Sequence, residues 1–336
     1  MAPEVLIPTR FSAATEAGPD IAGRIWRLDG QTMGTGWSVR FVARAPVAVE
    51  AIRAGIDAVL ADLVAQLSHW APESALCRYN RATAGSRLRL PADFSAVLEA
   101  ALDIARLSDG ALDPTAGPLV DLWGFGPPGP QPLPPPAADL AAARRRVGWQ
   151  QLQRDGDGLL QPGGVQLDFS AIAKGHAVDR LAVWLERAGF AHHLVEIGGE
   201  LRGQGVKPDG LPWWVDAELP EGLAPCPARV ALDGLSIATS GDAVRHVEHA
   251  GRRYAHTLDP RSGAPLAEAP AAVTVIHPLC READGWATAL TVLGPVVGLP
   301  LADRLGLAAR WQLRGAGPAV VHSAAWRQLG DDGDGD

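Results

Sequence analysis

Cysteine is scarce in this 336-residue chain: Cys77, Cys226 and Cys280 are three in number and far apart. They make no Cys-x-x-Cys pair and no dense framework, which excludes a disulfide-stapled scaffold and a zinc ribbon. Long apolar runs are lacking as well. No run of 18 apolar residues occurs, so no transmembrane segment is expected. Residues 1–23 have no basic start, apolar core or cleavage site, and no cysteine stands near the N-terminus to take a lipid. The chain as written is therefore expected in the cytoplasm; a periplasmic or membrane-associated place would require a different N-terminus. Positive charge is also short, with 30 Lys+Arg against 38 Asp+Glu and a net charge of −8, which argues against nucleic acid as a partner. Within that deficit lysine is almost absent, confined to Lys174 and Lys207. Phosphate-binding glycine motifs are missing too. There is no Walker A sequence, and neither Gly198-Gly199 nor Gly203-Gln204-Gly205 makes a G-x-G-x-x-G turn between strand and helix. His246-Val247-Glu248-His249 is not a zinc-binding H-E-x-x-H and reads as a solvated hairpin, and His192-His193 reads as structural.

What is present is ordinary for a globular protein with a sizeable core: 47% hydrophobic and 20% charged residues. The length allows two domains or one large mixed domain. Residues 1–23 read as a loose N-terminus. Strands are expected from Arg24 to Ala43 around the Met33-Gly34-Thr35-Gly36 turn. Ile52, Ile56, Leu60, Leu63 and Leu67 predict a helix over 47–67. A loop should lead from Leu67 to Asn80. A second helix should run from an Asp93 cap to an Asp109-Gly110 stop. Residues 127–136 are a Pro-rich loop, and 137–147 a short helix. Beyond 190, strands are expected at 191–205 with a bend at Gly198-Gly199, at 213–218, at 228–238 and at 271–276. A turn is expected at Thr239-Ser240-Gly241-Asp242, and a helix over 282–293. The acidic tail, 329–336, reads as disordered. Strands and helices interleave without a regular βαβ beat and no repeat is found, which points to α+β or irregular α/β.

Three places carry chemistry. The stretch Leu167-Asp168-Phe169-Ser170-Ala171-Ile172-Ala173-Lys174-Gly175 opens a helix whose Val178, Leu181 and Leu185 share one face. Ser170 could cap its start and Gly189 its end. Lys174 would stand in the first turn, where the helix dipole disfavours a cation. An anionic ligand at that helix start would give it a reason; an ordinary solvated lysine is the plainer reading of this stretch alone. Asp284 and Thr288, one turn apart on the expected 282–293 helix, offer two hard oxygen ligands. They are too few for a metal by themselves but suit Mg²⁺ completed by substrate phosphates; an early Asp starting a helix fits equally. His256 lies in a turn-rich segment, where a neutral imidazole could accept a proton from an attacking hydroxyl or serve structure alone.

The ordered blocks together resemble the FAD:protein FMN transferase family, the ApbE-like flavin transferases. They are Met33-Gly34-Thr35; Ser68 to Asn80; Asp113-Pro114-Thr115 through Trp123-Gly124-Phe125-Gly126; Asp168 to Asp179; Ile197-Gly198-Gly199-Glu200; Thr239-Ser240-Gly241; His256 to Gly263; and Ala283-Asp284 with Thr288-Ala289-Leu290. The resemblance implies an α+β fold of two intimately packed mixed α/β subdomains with FAD between them, residues 24–328 forming one flavin transferase domain. It implies Mg²⁺-dependent transfer of the FMN half of FAD to a Ser or Thr of an acceptor protein, a redox or electron-transfer protein, with release of AMP. By the same resemblance Met33, Ser74, Ala75, Leu76, Asp113, Lys174 and Leu258 line the FAD site. The Ala171 carbonyl, Asp284 and Thr288 hold the metal, Asp284 and His256 are catalytic, and Asp259 would orient the His256 ring. Gly285 would permit a close backbone approach, while Trp286 would pack in the core, against adenine or on a partner. The same residues would also suit an FAD pyrophosphatase, with water in place of the hydroxyl, or a non-catalytic flavin-binding protein.

Overall fold

The computed structural model describes residues 3–131, 134–220, 223, 226–241, 246–249, 252–314 and 319–330. An eight-stranded sheet forms the spine. Edge to edge its strands are Val320–His322, Ala308–Gln312, Ala272–His277, Leu235–Ser240, Glu200–Gln204, His193–Ile197, Thr35–Ala43 and Arg24–Thr32. Every pairing within it is antiparallel. Alternation along the strands sends side chains to two different cores. Trp37, Val39 and Phe41 join one while Val42 joins the other; Val273 and Val275 part from Ile276 in the same way. A sheet apolar on both faces must be covered on both.

One face carries helices Ala173–Arg187 and Cys280–Leu305, backed by Val49–Leu67 and Ala92–Leu107. The other carries a small sheet of Glu4–Leu6, Ala228–Leu232 and Trp213–Asp216, with helix Ala324–Gly330 beside it. A third, smaller cluster packs Leu119, Trp123, Tyr254 and Leu258 together. The architecture is mixed α/β, as the interleaved elements predict. Helix Val49–Leu67 buries the five apolar residues its spacing singles out.

Several local expectations change. The first 23 residues are not loose throughout: Glu4–Leu6 pairs in parallel with Ala228–Val230. Leu6 is fully buried in the second core and Glu4 Oε1 accepts from Trp326 Nε1 at 3.1 Å, contacts that anchor the segment. The expected loop before Asn80 contains a helix, Ala75–Arg81. Thr239 and Ser240 belong to strand Leu235–Ser240 rather than to a turn, because both pair with Ala272–His277. Helix Ala92–Leu107 starts after Pro91, not Asp93. The Asp93 carboxylate instead accepts from His176 Nε2 at 2.9 Å and pairs with Arg180. Asp109 and Gly110, with φ of 53° and 74°, do end that helix. His192 and His193 are structural, accepting from Val206 N and bonding Phe190 O respectively, and burial pushes the His193 imidazole down to about 4.

By length and mean hydropathy, 1.5, helix Cys280–Leu305 could cross a membrane. Yet 56% of its most apolar 18-residue window is buried, its backbone breaks at Gly294, and it packs on Leu235–Ser240 and Ala272–His277, as a core helix does. Residues 127–131 and 134–136 hold no helix or strand, in keeping with a Pro-rich loop. Residues 132 and 133 of that loop, Asp242 and 331–336 of the acidic tail lie outside the described residues, while Leu329 and Gly330 end helix Ala324–Gly330 instead of belonging to a disordered tail.

Candidate active site at two helix starts

Two helices begin against each other here. Helix Ala173–Arg187 is capped at Ile172 without a side-chain hydrogen bond. Ser170 is not the cap: it lies two residues before Ile172, its hydroxyl stands 3.5 Å from His69 Nδ1, and its N–H donates to Asp168 Oδ1 at 2.7 Å. The far end closes as expected at Gly189, with φ of 90° and with the N–H groups of Gly189 and Phe190 bonding the carbonyls of Glu186 and Leu185. In the first turn Gly175 lies so near helix Cys280–Leu305 that a Cβ there would stand 2.3 Å from the Cys280 carbonyl oxygen. That approach lets Gly175 N donate to Asp284 Oδ2 at 2.9 Å. One turn further, Asp179 fastens the second helix: its carboxylate accepts from Cys280 N at 3.0 Å, Arg281 N at 2.9 Å and Arg202 Nη1 at 2.6 Å. Gly285 also proves to be a close approach, since a Cβ there would meet Ile104 Cδ1 at 2.5 Å, and Trp286 is buried in the main core.

The result is a compact charged group. Lys174 Nζ donates to Glu200 Oε1 at 2.5 Å. Burial pushes the Glu200 carboxyl up to about 8, with the nearby Asp284 charge adding to the rise and Lys174 opposing it. Burial likewise raises Asp284, against the pull of Lys174 and the Gly175 hydrogen bond. Thr288 follows one turn along, its Oγ1 3.0 Å from Ser240 Oγ. Ala171 sits in the turn two residues before the first helix. The structure thus brings Lys174, Asp284 and Thr288 to one pair of packed helices.

The other candidates stand in separate segments. Met33 and Gly34, with φ of 49° and 74°, make the two-residue turn between the first two strands of the large sheet, the mirror-type turn suited to a hairpin. Ser74 is buried and occupied: its hydroxyl donates to Ser68 O at 2.6 Å and accepts from Cys77 N at 3.0 Å, capping helix Ala75–Arg81. Ala75 and Leu76 are buried behind it. Asp113 organises a loop, accepting from Thr115 N, Thr115 Oγ1 and Trp149 N, and burial raises its carboxyl despite those donors. Leu258 belongs to the third core. His256 is half-buried in the bend between strands Arg252–Ala255 and Leu258–Asp259. Asp259 is not given over to orienting it. Both Asp259 carboxylate oxygens accept from the Arg261 guanidinium, at 2.9 and 3.0 Å, a bidentate pair that fixes the carboxylate elsewhere.

Glu200, Ser240 and a histidine–aspartate pair escaped the residue-by-residue reading. Glu200 follows the Gly198-Gly199 bend, where two successive glycines announce a tight hairpin that sets the next side chain rigidly. His69 Nδ1 lies 3.5 Å from Asp168 Oδ2 at the edge of a cleft of about 140 Å³ that Asn80, Asp121 and Gln166 also line. Burial opposes charge on both partners, yet their mutual attraction holds His69 above its ordinary value and Asp168 below. Asp121, raised by burial and by Asp168, adds a third ionisable group to the cleft.

The ApbE family model matches residues 33–311. A protein of Klebsiella pneumoniae named FAD:protein FMN transferase is 37% identical, over 90% of this chain and 88% of its own. One of Haemophilus influenzae with the same name is 35% identical, over 91% and 92%. Among solved structures, the apo flavinyl transferase ApbE of Pseudomonas stutzeri superposes with a TM-score of 0.85 and 41% identity, covering 91% of this chain and 97% of that one. The flavin transferase ApbE of Vibrio cholerae gives 0.83 and 31%, covering 91% and 99%.

Proposed function

Because the chain belongs to the ApbE family and is an FAD:protein FMN transferase, we propose that its reacting centre is the cluster of Lys174, Asp284 and Thr288, completed by Mg²⁺ and by His256. The carrying observation is the convergence of the two helix starts at Gly175, which sets a lysine beside a buried carboxylate.

The donor chemistry fits a magnesium ion. The Asp284 carboxylate, the Thr288 hydroxyl and the Ala171 carbonyl are hard oxygens, and burial penalises the charge on Asp284 that a cation would stabilise. Among the described residues no group of three or more His, Cys, Asp or Glu is placed to hold a metal, so a site here depends on substrate oxygens. Bound there, Mg²⁺ would neutralise charge on the FAD pyrophosphate.

Lys174 supports the same pyrophosphate as a point charge, in a place where the helix start supplies further N–H donors. His256 takes the proton as the acceptor's Ser or Thr oxygen bonds to the FMN phosphorus. The bond from that phosphorus to the AMP phosphate oxygen breaks, and AMP departs with the electron pair. AMP is a good leaving group, so positioning and charge neutralisation carry most of the catalysis. Met33, Ser74, Ala75, Leu76, Asp113 and Leu258 shape the walls for FAD. The acceptor is read as a redox or electron-transfer protein, on family resemblance.

With one carboxylate at the metal site, Mg²⁺ and FAD should bind cooperatively, since coupling between ligands is reciprocal. Calorimetric titration of FAD with and without Mg²⁺ should show tighter FAD binding with the metal, and Asp284→Ala should abolish the difference. Wild-type FAD affinity indifferent to Mg²⁺, or full coupling kept in the variant, refutes the placement. Intact mass of an acceptor domain incubated with FAD and Mg²⁺ separates transfer from release of free FMN.

A further inference from the structure

Strand Glu200–Gln204 meets helix Ala173–Arg187 through two alternate side chains of opposite charge. Glu200 pairs with Lys174 at 2.5 Å, and Arg202 pairs with Asp179 at 2.6 Å. Any shift that brought Arg202 to Lys174, or Glu200 to Asp179, would oppose like charges, so the two pairs fix one register between strand and helix. Glu200 itself is placed without slack. It follows Gly198 and Gly199, whose φ values of 63° and 101° make the two-residue hairpin turn, and Ile197 pairs directly with Glu200. A Cβ on Gly198 would also stand 2.7 Å from Thr35 Cγ2, so the turn is seated against the neighbouring strand.

The burial of the pair is lopsided. The Glu200 side chain is 4% exposed and that of Lys174 26%, so the carboxylate holds the ammonium from the protein side while the ammonium reaches the surface of the site. Glu200 Oε2 is buried without a hydrogen-bond partner. For stability alone this is a poor arrangement. A buried ion pair seldom outperforms well-packed apolar residues, and an unsatisfied buried oxygen adds cost. The arrangement makes sense if what matters is where Lys174 points. A lysine on a four-carbon stem has many rotamers, and ordering it before the substrate arrives removes an entropy cost from binding.

We propose that Glu200 is a positioning residue of the transfer reaction, holding the Lys174 ammonium where the FAD pyrophosphate is bound. The inference rests on Lys174 facing that pyrophosphate. A double-mutant cycle on the full-length protein tests it, with FAD, Mg²⁺ and an acceptor protein read by intact mass. Lys174→Ala should lower kcat/KM for FAD by about 10²-fold, the scale of one lost electrostatic contact to the transition state. Glu200→Ala should come within about threefold of that loss, and the double variant should be no worse than Lys174→Ala, because the two residues act as one unit. Glu200→Gln, whose amide oxygen still accepts from Nζ, should recover most of the rate. If Glu200→Ala does not fold, Glu200→Asp, which draws the carboxylate back by one methylene, takes its place in the cycle with the same expectation of non-additivity. Losses that multiply in the double variant, or a Gln variant as poor as Ala, overturn the role of Glu200 while leaving Lys174 at the pyrophosphate. A silent Lys174→Ala overturns both.

Discussion

Alanine forms helix better than glycine by about 1 kcal/mol. On local grounds Gly175→Ala, in the first turn of helix Ala173–Arg187, should therefore stabilise the protein. Tertiary contact reverses that sign. The added carbon would stand 2.3 Å from Cys280 O, 2.7 Å from Cys280 C and 2.8 Å from Asp284 Cβ. The first two are backbone atoms of the facing helix and cannot rotate away. Carbon contacts relax only near 3.5 Å, so the two helices must part by roughly 1 Å. Overpacking of this kind costs about 1–3 kcal/mol, which leaves a net loss of up to about 2 kcal/mol after the helix-propensity gain. The consequence for turnover is larger. The Gly175 N to Asp284 Oδ2 hydrogen bond, now 2.9 Å, would stretch, and Asp284 would move away from Lys174. A misplacement of about 1 Å in a reacting centre costs on the order of 10²-fold in rate. Denaturant unfolding gives the stability change, and AMP release with acceptor mass gain gives the turnover. A variant more stable than wild type with full turnover would show that the helix contact at Gly175 does not set the site.

Three further expectations have direct readouts. His256→Ala should leave FAD affinity nearly unchanged and slow transfer by roughly 10² to 10⁴, the range for a lost general base; unchanged single-turnover rates would make the histidine structural. Asp179→Ala removes the acceptor for Arg202 and for two N–H groups at the start of helix Cys280–Leu305, and should cost about 3–5 kcal/mol in urea unfolding; a loss below about 1 kcal/mol would contradict the geometry. Burial lowers His69 and Asp168 more than offsets it, so the folded imidazole titrates above its unfolded value of about 6.5. Its stabilisation is then complete below that pH and is lost as pH rises through the folded value; unfolding across a pH series should show the decline in wild type, and its persistence in His69→Gln would assign it to another group.

How far the chain could be read in advance depended on whether the governing contact was local. Helix Val49–Leu67 was legible because its five buried residues recur at helical spacing, and the hairpin at Met33-Gly34 because turn and flanking alternation agree. Strand Ala308–Gln312 was not, because all five residues, Arg310 and Gln312 among them, are buried and no alternation remains to mark it. Glu4–Leu6 is three residues long, too short to show any period. Helix Ala75–Arg81 is short as well, and its one clear mark was Ser74, whose hydroxyl caps it.

The site divides along the same line. Asp284 and Thr288 are one turn apart on one helix, so spacing alone places them together. Lys174 and Glu200 are joined across strand and helix, and Gly175 meets Cys280 from a distant part of the chain. Such contacts follow from the register of the sheet against the helices, and that register is held by pairs such as Arg202–Asp179 that no window of sequence contains. Asp259 gives the converse case. Its partner, Arg261, stands two residues away, and the local bidentate pair takes the carboxylate before His256 can. Near-neighbour charges therefore govern the Asp259 carboxylate, and a distant one governs Lys174. A lysine in the first turn of a helix, disfavoured there by the dipole, is stabilised in this fold by a carboxylate 26 residues along the chain. That carboxylate offsets the unfavourable placement from within the protein.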